Sequence, residues 1–128
     1  MAKAHVLIID DNETGIKVLS QMLSMLDVSS VGVQDPTQLS ALVEDITTID
    51  AIFLDLEMPK IGGYEMLRIL RDRFNTTVPI IAHSVHTSEI HKAMELGFDG
   101  FLGKPLHMRT FRGYMNRILK GERVWEVD

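Results

Sequence analysis

The stretch Ile52–Pro59, I-F-L-D-L-E-M-P, decides how the rest of the chain is interpreted. Its apolar run leads directly into a carboxylate, Asp55, and the chain reaches a proline soon afterwards. Consecutive apolar residues are typical of a strand that is buried on both faces of a parallel sheet. A charge at the end of such a strand either marks the point where the strand meets water or places a reactive oxygen at a chosen position.

Short apolar runs of this kind alternate with helical patterns along the chain. The predicted strands are Val6–Ile9, Val28–Val33, Ala51–Leu54, Pro79–His83 and the segment around Phe101–Leu102. Apolar residues at helical spacing follow each strand and predict five helices. The predicted inward-facing residues, helix by helix, are Ile16, Leu19, Leu23 and Leu26; Leu39, Leu42, Val43 and Ile46; Met66, Leu67, Leu70 and Phe74; Ile90, Ala93 and Met94; and Met108, Phe111, Met115 and Ile118.

Capping signals place some of the helix ends. Asp35-Pro36 predicts the start of the second helix, while Ser88 and Gly97 predict the two ends of the fourth. Five strands alternating with five helices predict an α/β fold, a flavodoxin-like (βα)5 doubly wound parallel sheet with strand order 2-1-3-4-5. We expect one domain over residues 1–121, followed by a short tail over residues 122–128.

Composition narrows the classes of protein that fit. The 128 residues are 45% hydrophobic and 24% charged, as in an ordinary globular domain. The absence of cysteine excludes disulfides and thiolate metal sites, and a net charge of −5 disfavours direct nucleic-acid binding. No apolar run approaches the roughly 18 residues of a membrane span, and the start M-A-K-A-H lacks the apolar core of a signal peptide. A cytoplasmic domain is therefore expected.

Three carboxylates are predicted to meet at one edge of the sheet. Asp10 and Asp11 end the first strand and Asp55 ends the third, and these two strands flank the point where the strand order reverses. Carboxylates held together repel one another and raise one another's proton affinity, which favours a bound cation. An all-oxygen ligand set predicts a hard ion, most simply Mg²⁺.

Four motifs at successive strand ends then carry a resemblance to a known family. They are D-D-N after V-L-I-I, L-D-L-E-M-P after the third strand, Ser84 after the fourth and G-K-P after the fifth. From about Val6 to Leu119 the chain resembles the receiver domain of two-component response regulators. The resemblance implies that Asp55 accepts a phosphoryl group from a sensor histidine kinase or a histidine phosphotransfer protein. It also implies that Lys104 pairs with a phosphoryl oxygen and that the Ser84 hydroxyl donates to another.

The resemblance implies further roles at the metal site and on the output face. Asp11, Asp55 and the Glu57 backbone carbonyl would hold Mg²⁺, with Asp10 acting mainly through water or by orienting the ion. Phe101 would be the switch aromatic, and Lys104-Pro105 would be a cis peptide. The face formed by the fourth helix, the fifth strand and the fifth helix would then contact an unknown downstream protein or a second copy of the chain.

Several positions distinguish this chain within the family. Counting from the strand selects Ser84 as the hydroxyl residue, whereas counting back from Gly97 selects Ala82, because the intervening loop is short. Glu57, Val85 and His86 fall at positions that would tune the lifetime of the aspartyl phosphate.

Three histidines raise the question of a zinc site. His83, His86 and His91 span a strand, a loop and a helix, so structural or surface roles are expected rather than a zinc site.

The alternatives to a phosphorylated receiver domain are an aspartate-nucleophile phosphohydrolase, a flavodoxin-like cofactor-binding domain and a receiver-like interaction module that is not phosphorylated. We expect the chain not to be an enzyme beyond its own phosphotransfer and dephosphorylation.

Overall fold

The computed structural model describes residues 4–35, 37–39, 48–59, 61–73 and 77–126. Within these ranges six parallel strands form one sheet with helices on both faces. The strands are β1 (His5–Ile9), β2 (Ser29–Val33), β3 (Ala51–Asp55), β4 (Ile80–Ser84), β5 (Gly100–Gly103) and β6 (Val124–Glu126). The helices are α1 (Glu13–Met25), α2 (Gly63–Asp72), α3 (Ile90–Glu95) and α4 (Met108–Leu119), and a 3-10 turn over Thr87–Glu89 precedes α3.

The strand order is β2-β1-β3-β4-β5-β6, which confirms the predicted order of the first five strands and adds a sixth. The added strand β6 pairs in parallel with β5, placing Trp125 opposite Phe101. Val124 is fully buried. The segment predicted as a tail, residues 122–128, therefore contains a strand that extends the sheet. Its three residues are too few for a strand period to be recognised in the sequence.

The continuous apolar run of β3 is explained by burial on both sides of the sheet. Ile52 and Leu54 pack into one core, which α2 and α3 cover with residues such as Met66. Phe53 points to the opposite core, where α1 and α4 contribute residues such as Leu23 and Phe111. Every position of the strand is buried, and this includes its last residue, Asp55, so the carboxylate is held at the edge of the core and not in bulk water.

The helices agree with the predicted stripes in most places. Asn12 caps α1 by accepting a hydrogen bond from the Gly15 N–H. Residues 40–47 of the predicted second helix, and Phe74 of the third, lie outside the described residues. In the described ranges no helix combines the length and the apolarity needed to cross a membrane.

Two predictions for the fourth helix are wrong. Ser88 does not cap it, because residues 87–89 already form a 3-10 turn and α3 begins at Ile90. Met94, predicted to face inward, is 44% exposed. The helix has only six residues, and the small Ala93 takes the position against the core, so the next residue is rotated toward solvent. Gly97, with φ +105°, ends the segment as predicted.

A close backbone approach fixes the position of α2 against the end of β3. A side chain at Gly63 would place its Cβ 2.7 Å from the Cα of Leu56 and 2.9 Å from the carbonyl oxygen of Asp55. Such contacts are too short for any larger residue. Glycine at this position therefore lets α2 begin directly beside the carboxylate end of the strand.

His83 on β4 has the surroundings of a buried structural residue. Its ring packs edge-on against Phe53, with 6.1 Å between centroids, and Nε2 has no hydrogen-bond partner among the described residues. Burial, assisted by the Lys104 ammonium, lowers the pKa of His83 to about 3. The imidazole is therefore neutral throughout the physiological range.

We expect His83→Leu to make folding less sensitive to acid. The unfolded chain takes up a proton on His83 below about pH 6.5, whereas the folded protein does so only near pH 3. The stability of the wild type therefore falls as the pH drops from 6.5 toward 3, and the variant should avoid this loss, gaining about 2 kcal/mol relative to wild type between pH 7 and pH 4.5. Urea unfolding at several pH values measures the gap. His91→Leu, at an exposed position of α3, is the control. A gap between wild type and His83→Leu that does not change with pH would contradict the assignment.

Candidate functional site

Three carboxylates meet at the carboxyl edge of the sheet, as the sequence predicts. Asp10 and Asp11 follow β1, Asp55 ends β3, and these two strands are hydrogen-bonded neighbours. Oxygen atoms of the three side chains lie within 4.8 Å of one another. Asp10 and Asp55 are buried, whereas Asp11 is exposed. The cluster therefore has one side open to solvent and another held against the core.

Local hydrogen bonds orient the two buried carboxylates. The Asn12 N–H donates to Asp10 Oδ1 at 2.9 Å, and the Glu57 N–H donates to Asp55 Oδ1 at 3.2 Å. The first turn of α1 also passes close to the cluster, since a Cβ at Gly15 would lie 2.9 Å from Asp10 Oδ2. Each carboxylate is therefore placed by the backbone of the loop that follows its own strand.

Lys104 brings a cation to the same edge from the end of β5. Its Nζ lies 3.5 Å from Asp10 Oδ2 and 3.5 Å from Asp55 Oδ1. Its backbone N–H donates to the Ser84 carbonyl oxygen at 2.8 Å, which ties this loop to β4. The Lys104-Pro105 peptide bond is cis, as the family resemblance implies. One ammonium therefore bridges carboxylates from two strands.

The proton affinity of Asp55 reflects these opposing neighbours. Burial raises the pKa of Asp55 to about 6, the Lys104 ammonium and the Glu57 N–H act to lower it, and Asp10 adds to the increase. The carboxylate is still mainly ionised at neutral pH, although its ionised form is less favourable in the folded protein than in water. A single lysine therefore leaves the cluster with uncompensated negative charge, which suits an added cation.

Ser84 lies beside this cluster, but its hydroxyl is engaged elsewhere. The side chain is fully buried, and Oγ donates to the Glu57 carboxylate, at 2.7 Å from Oε1 and 2.8 Å from Oε2. The same oxygen accepts the His86 N–H at 2.9 Å. The His86 ring nitrogen Nε2 is 3.8 Å from Glu57 Oε1. The sequence shows no sign of this Ser84–Glu57 contact, because it depends on side-chain directions in two separate loops.

Ser84 and Ala82, the residues selected by the two ways of counting, occupy different places in the fold. Ser84 is the last residue of β4 and pairs with Gly103, the residue before Lys104. Ala82 lies inside β4 and packs in the core. The end-of-strand position beside the carboxylates therefore belongs to Ser84.

Phe101 and Val85, two further residues singled out in the sequence, differ in their exposure to solvent. Phe101 is fully buried on β5, in the same core as Ala82 and next to the partly buried Trp125. Val85 is 59% exposed in the loop after β4. Only Val85 is thus placed where it can influence access from solvent.

A cavity of about 420 Å³ opens beside the carboxylates, between α1 and the loop after β5. Asp10 and Lys104 line its polar end, and Val18, Leu19 and Leu106 line its apolar walls. Asp10 and Lys104 therefore line a cavity whose volume is large enough for a side chain of another molecule.

Similar sequences include longer proteins with an enzymatic name. One is a protein-glutamate methylesterase/protein-glutamine glutaminase of Myxococcus xanthus, 38% identical over 108 residues, a match that covers 80% of this chain and 30% of the relative. The chain spans less than half the length of the curated relatives it matches. The expectation that the protein is not an enzyme is therefore wrong as a general statement, since a close relative carries this domain as part of a named enzyme.

Solved structures share the fold. The chemotaxis protein CheY4 of Vibrio cholerae superposes with a TM-score of 0.79 at 23% identity, covering 91% of this chain and 99% of that one. The receiver domain of a sensor histidine kinase from Pseudomonas aeruginosa, solved with a magnesium ion in its active-site cleft, superposes with a TM-score of 0.74 at 25% identity, covering 93% and 99%.

Family membership rests on a match along most of the sequence. The response regulator receiver domain matches residues 6–116, which contain all six strand-end residues of the cluster and its surroundings: Asp10, Asp11, Asp55, Glu57, Ser84 and Lys104. The chain therefore belongs to the response regulator receiver domain family.

Proposed function

We propose that the protein is a phosphoacceptor that receives a phosphoryl group on Asp55 from a phosphohistidine of a sensor histidine kinase or a histidine phosphotransfer protein. The observation that carries this proposal is the meeting of three carboxylates within 4.8 Å, with Lys104 Nζ 3.5 Å from both Asp10 and Asp55. This arrangement supplies a nucleophile, a group of metal ligands and a cation at one point. Location in the cytoplasm is part of the same proposal.

The transfer step follows from the position of Asp55. A carboxylate oxygen forms a bond to phosphorus while the bond between phosphorus and the donor imidazole nitrogen breaks, and the imidazole keeps the electron pair. Negative charge on the phosphoryl oxygens then lies near the Lys104 ammonium, which already contacts Asp55 Oδ1. Because this lysine is positioned before the reaction, little reorganisation is needed as the charge develops.

The carboxylate cluster fits a magnesium ion. Its donors are oxygen atoms only, and the exposed Asp11 leaves one side open to the waters that Mg²⁺ normally keeps. Asp11, Asp55 and the Glu57 backbone carbonyl would hold the ion, with Asp10 acting through water or by orienting it. When bound, the ion neutralises carboxylate and phosphoryl charge. The magnesium in the cleft of the Pseudomonas receiver domain supports this assignment.

Signal output requires a group that differs between two states. We propose that Ser84 moves to donate to the phosphoryl group and that Phe101 repacks in response, which changes the face formed by α3, β5 and α4. A downstream protein or a second copy of the chain would read this face. In this protein β6 lies along β5, so Trp125, opposite Phe101, belongs to the surface that would change.

The phosphoacceptor role predicts a specific adduct. In the presence of Mg²⁺ and acetyl phosphate, the wild type should gain the mass of one phosphoryl group on the proposed acceptor Asp55, whose Oδ1 lies 3.5 Å from Lys104 Nζ. Intact-mass spectrometry measures the gain. Asp55→Asn should show none, and Glu65→Gln, at an exposed position on α2, should behave as the wild type. An equal adduct on Asp55→Asn, or steady turnover of phosphoesters without an adduct, would contradict the proposal.

The raised pKa of Asp55 predicts that its charge destabilises the metal-free protein. Between about pH 4 and pH 6 the folded protein holds a proton that the unfolded chain has lost, so wild-type stability falls as the pH rises through this window. Asp55→Asn lacks this loss and should be more stable above pH 6, by up to about 3 kcal/mol. Urea unfolding in the presence of a chelator measures the difference.

Magnesium provides the control for that measurement. Binding to the folded state alone should raise the unfolding midpoint of the wild type, and it should do so less in Asp55→Asn, which lacks one ligand. A variant no more stable than the wild type at pH 7.5, with equal responses to Mg²⁺, would contradict the account of the cluster.

A further inference from the structure

The Ser84 hydroxyl has one proton, and that proton is already donated. We propose that the Glu57 carboxylate is a positioning residue that holds the Ser84 hydroxyl and competes with the phosphoryl group for it. The inference rests on the proposed function, in which this hydroxyl binds a phosphoryl oxygen. It assigns the Glu57 side chain a role separate from the metal ligation proposed for its backbone carbonyl.

The Ser84 hydroxyl already acts both as a hydrogen-bond donor and as an acceptor. Oγ lies 2.7 Å and 2.8 Å from the two carboxylate oxygens of Glu57, and it accepts the His86 N–H at 2.9 Å. A hydroxyl has a single donor, so it cannot donate fully to Glu57 and to a phosphoryl oxygen together. Because Ser84 is also fully buried, water from bulk solvent cannot take the place of either hydrogen-bond partner.

The surroundings make exchange between the two acceptors feasible. The Glu57 side chain is 36% exposed, so water can hydrate its carboxylate once Ser84 has left. The His86 ring also lies beside this carboxylate, with Nε2 3.8 Å from Glu57 Oε1. A hydrogen bond to a charged acceptor is stronger than one to a neutral acceptor. Because the Glu57 carboxylate and a phosphoryl group are both charged acceptors, either can take the hydrogen bond from Ser84 in place of the other.

Glu57 also acts on the site through its charge alone. A carboxylate near the phosphoryl group repels it whether or not Ser84 has a hydroxyl, so a single substitution mixes repulsion with competition. The two contributions separate when the same substitution is made with and without the serine oxygen, because only competition needs that oxygen.

The experiment is a double-mutant cycle with beryllofluoride, a phosphoryl analogue that binds an aspartate carboxylate. Its dissociation constant is measured by calorimetry in saturating Mg²⁺ for wild type, Glu57→Ala, Ser84→Ala and the double variant. Glu57→Gln tests an uncharged acceptor of the same shape, and Glu65→Ala controls for loss of an exposed acidic residue on α2. Thermal unfolding confirms that each variant is folded.

We expect Glu57→Ala to tighten beryllofluoride binding about tenfold when Ser84 is present, which corresponds to one hydrogen bond to a charged group. With Ser84→Ala the same substitution should change binding by about twofold or less, the part due to repulsion. Glu57→Gln should fall between these values, because an amide oxygen still accepts from the hydroxyl. The lifetime of the aspartyl phosphate should lengthen in Glu57→Ala only when Ser84 is present.

An equal effect of Glu57→Ala in both backgrounds, or no effect in either, would overturn the competition between acceptors while leaving phosphorylation of Asp55 intact. If the folded wild type neither binds beryllofluoride nor gains a phosphoryl group, the proposed function itself fails and this inference fails with it.

Discussion

The candidate site depends on keeping three carboxylates together at the ends of two neighbouring hydrophobic strands, β1 and β3. Asp10 and Asp55 are buried, Asp11 faces solvent, and the Lys104 ammonium contacts both buried groups. The lysine offsets only part of the negative charge, since the pKa of Asp55 remains raised to about 6. The packed core on both sides of the sheet prevents these side chains from separating, so the protein retains an excess of negative charge that a bound cation can offset.

Helices α1 and α2 pack closely against the carboxylates, and two glycines make this possible. Gly63 lets α2 begin against the end of β3, and Gly15 lets the first turn of α1 pass close to Asp10. Neither position has room for a larger residue without displacing the site. Glu57, two residues after Asp55, reaches the buried Ser84 hydroxyl, so the proposed acceptor carboxylate and the proposed switch residue are linked through one short segment of chain.

The strand pattern predicts most of the fold and the location of the site, for reasons that particular residues make clear. Apolar runs with both faces covered, such as that of β3, are recognisable without a structure, and parallel strand ends must meet at one edge. The β6 strand was not predictable, because three residues carry no usable period. The Ser84–Glu57 hydrogen bond was also out of reach, since it joins residues 27 positions apart through side-chain conformations. The apolar pattern predicts that Phe101 lies in a strand, but nothing in the sequence predicts its neighbour Trp125, because that contact requires β6.

The central claim is that the Asp55 carboxylate, rather than Asp10 or Asp11, is the acceptor. Borohydride reduces an aspartyl phosphate to homoserine, so treating the protein after incubation with Mg²⁺ and acetyl phosphate marks the modified residue permanently. Tandem mass spectrometry of the peptides then identifies it. The account predicts homoserine at position 55, only when Mg²⁺ is present. Homoserine at position 10 or 11, or its absence from all three positions in a folded, Mg²⁺-saturated sample, would contradict it.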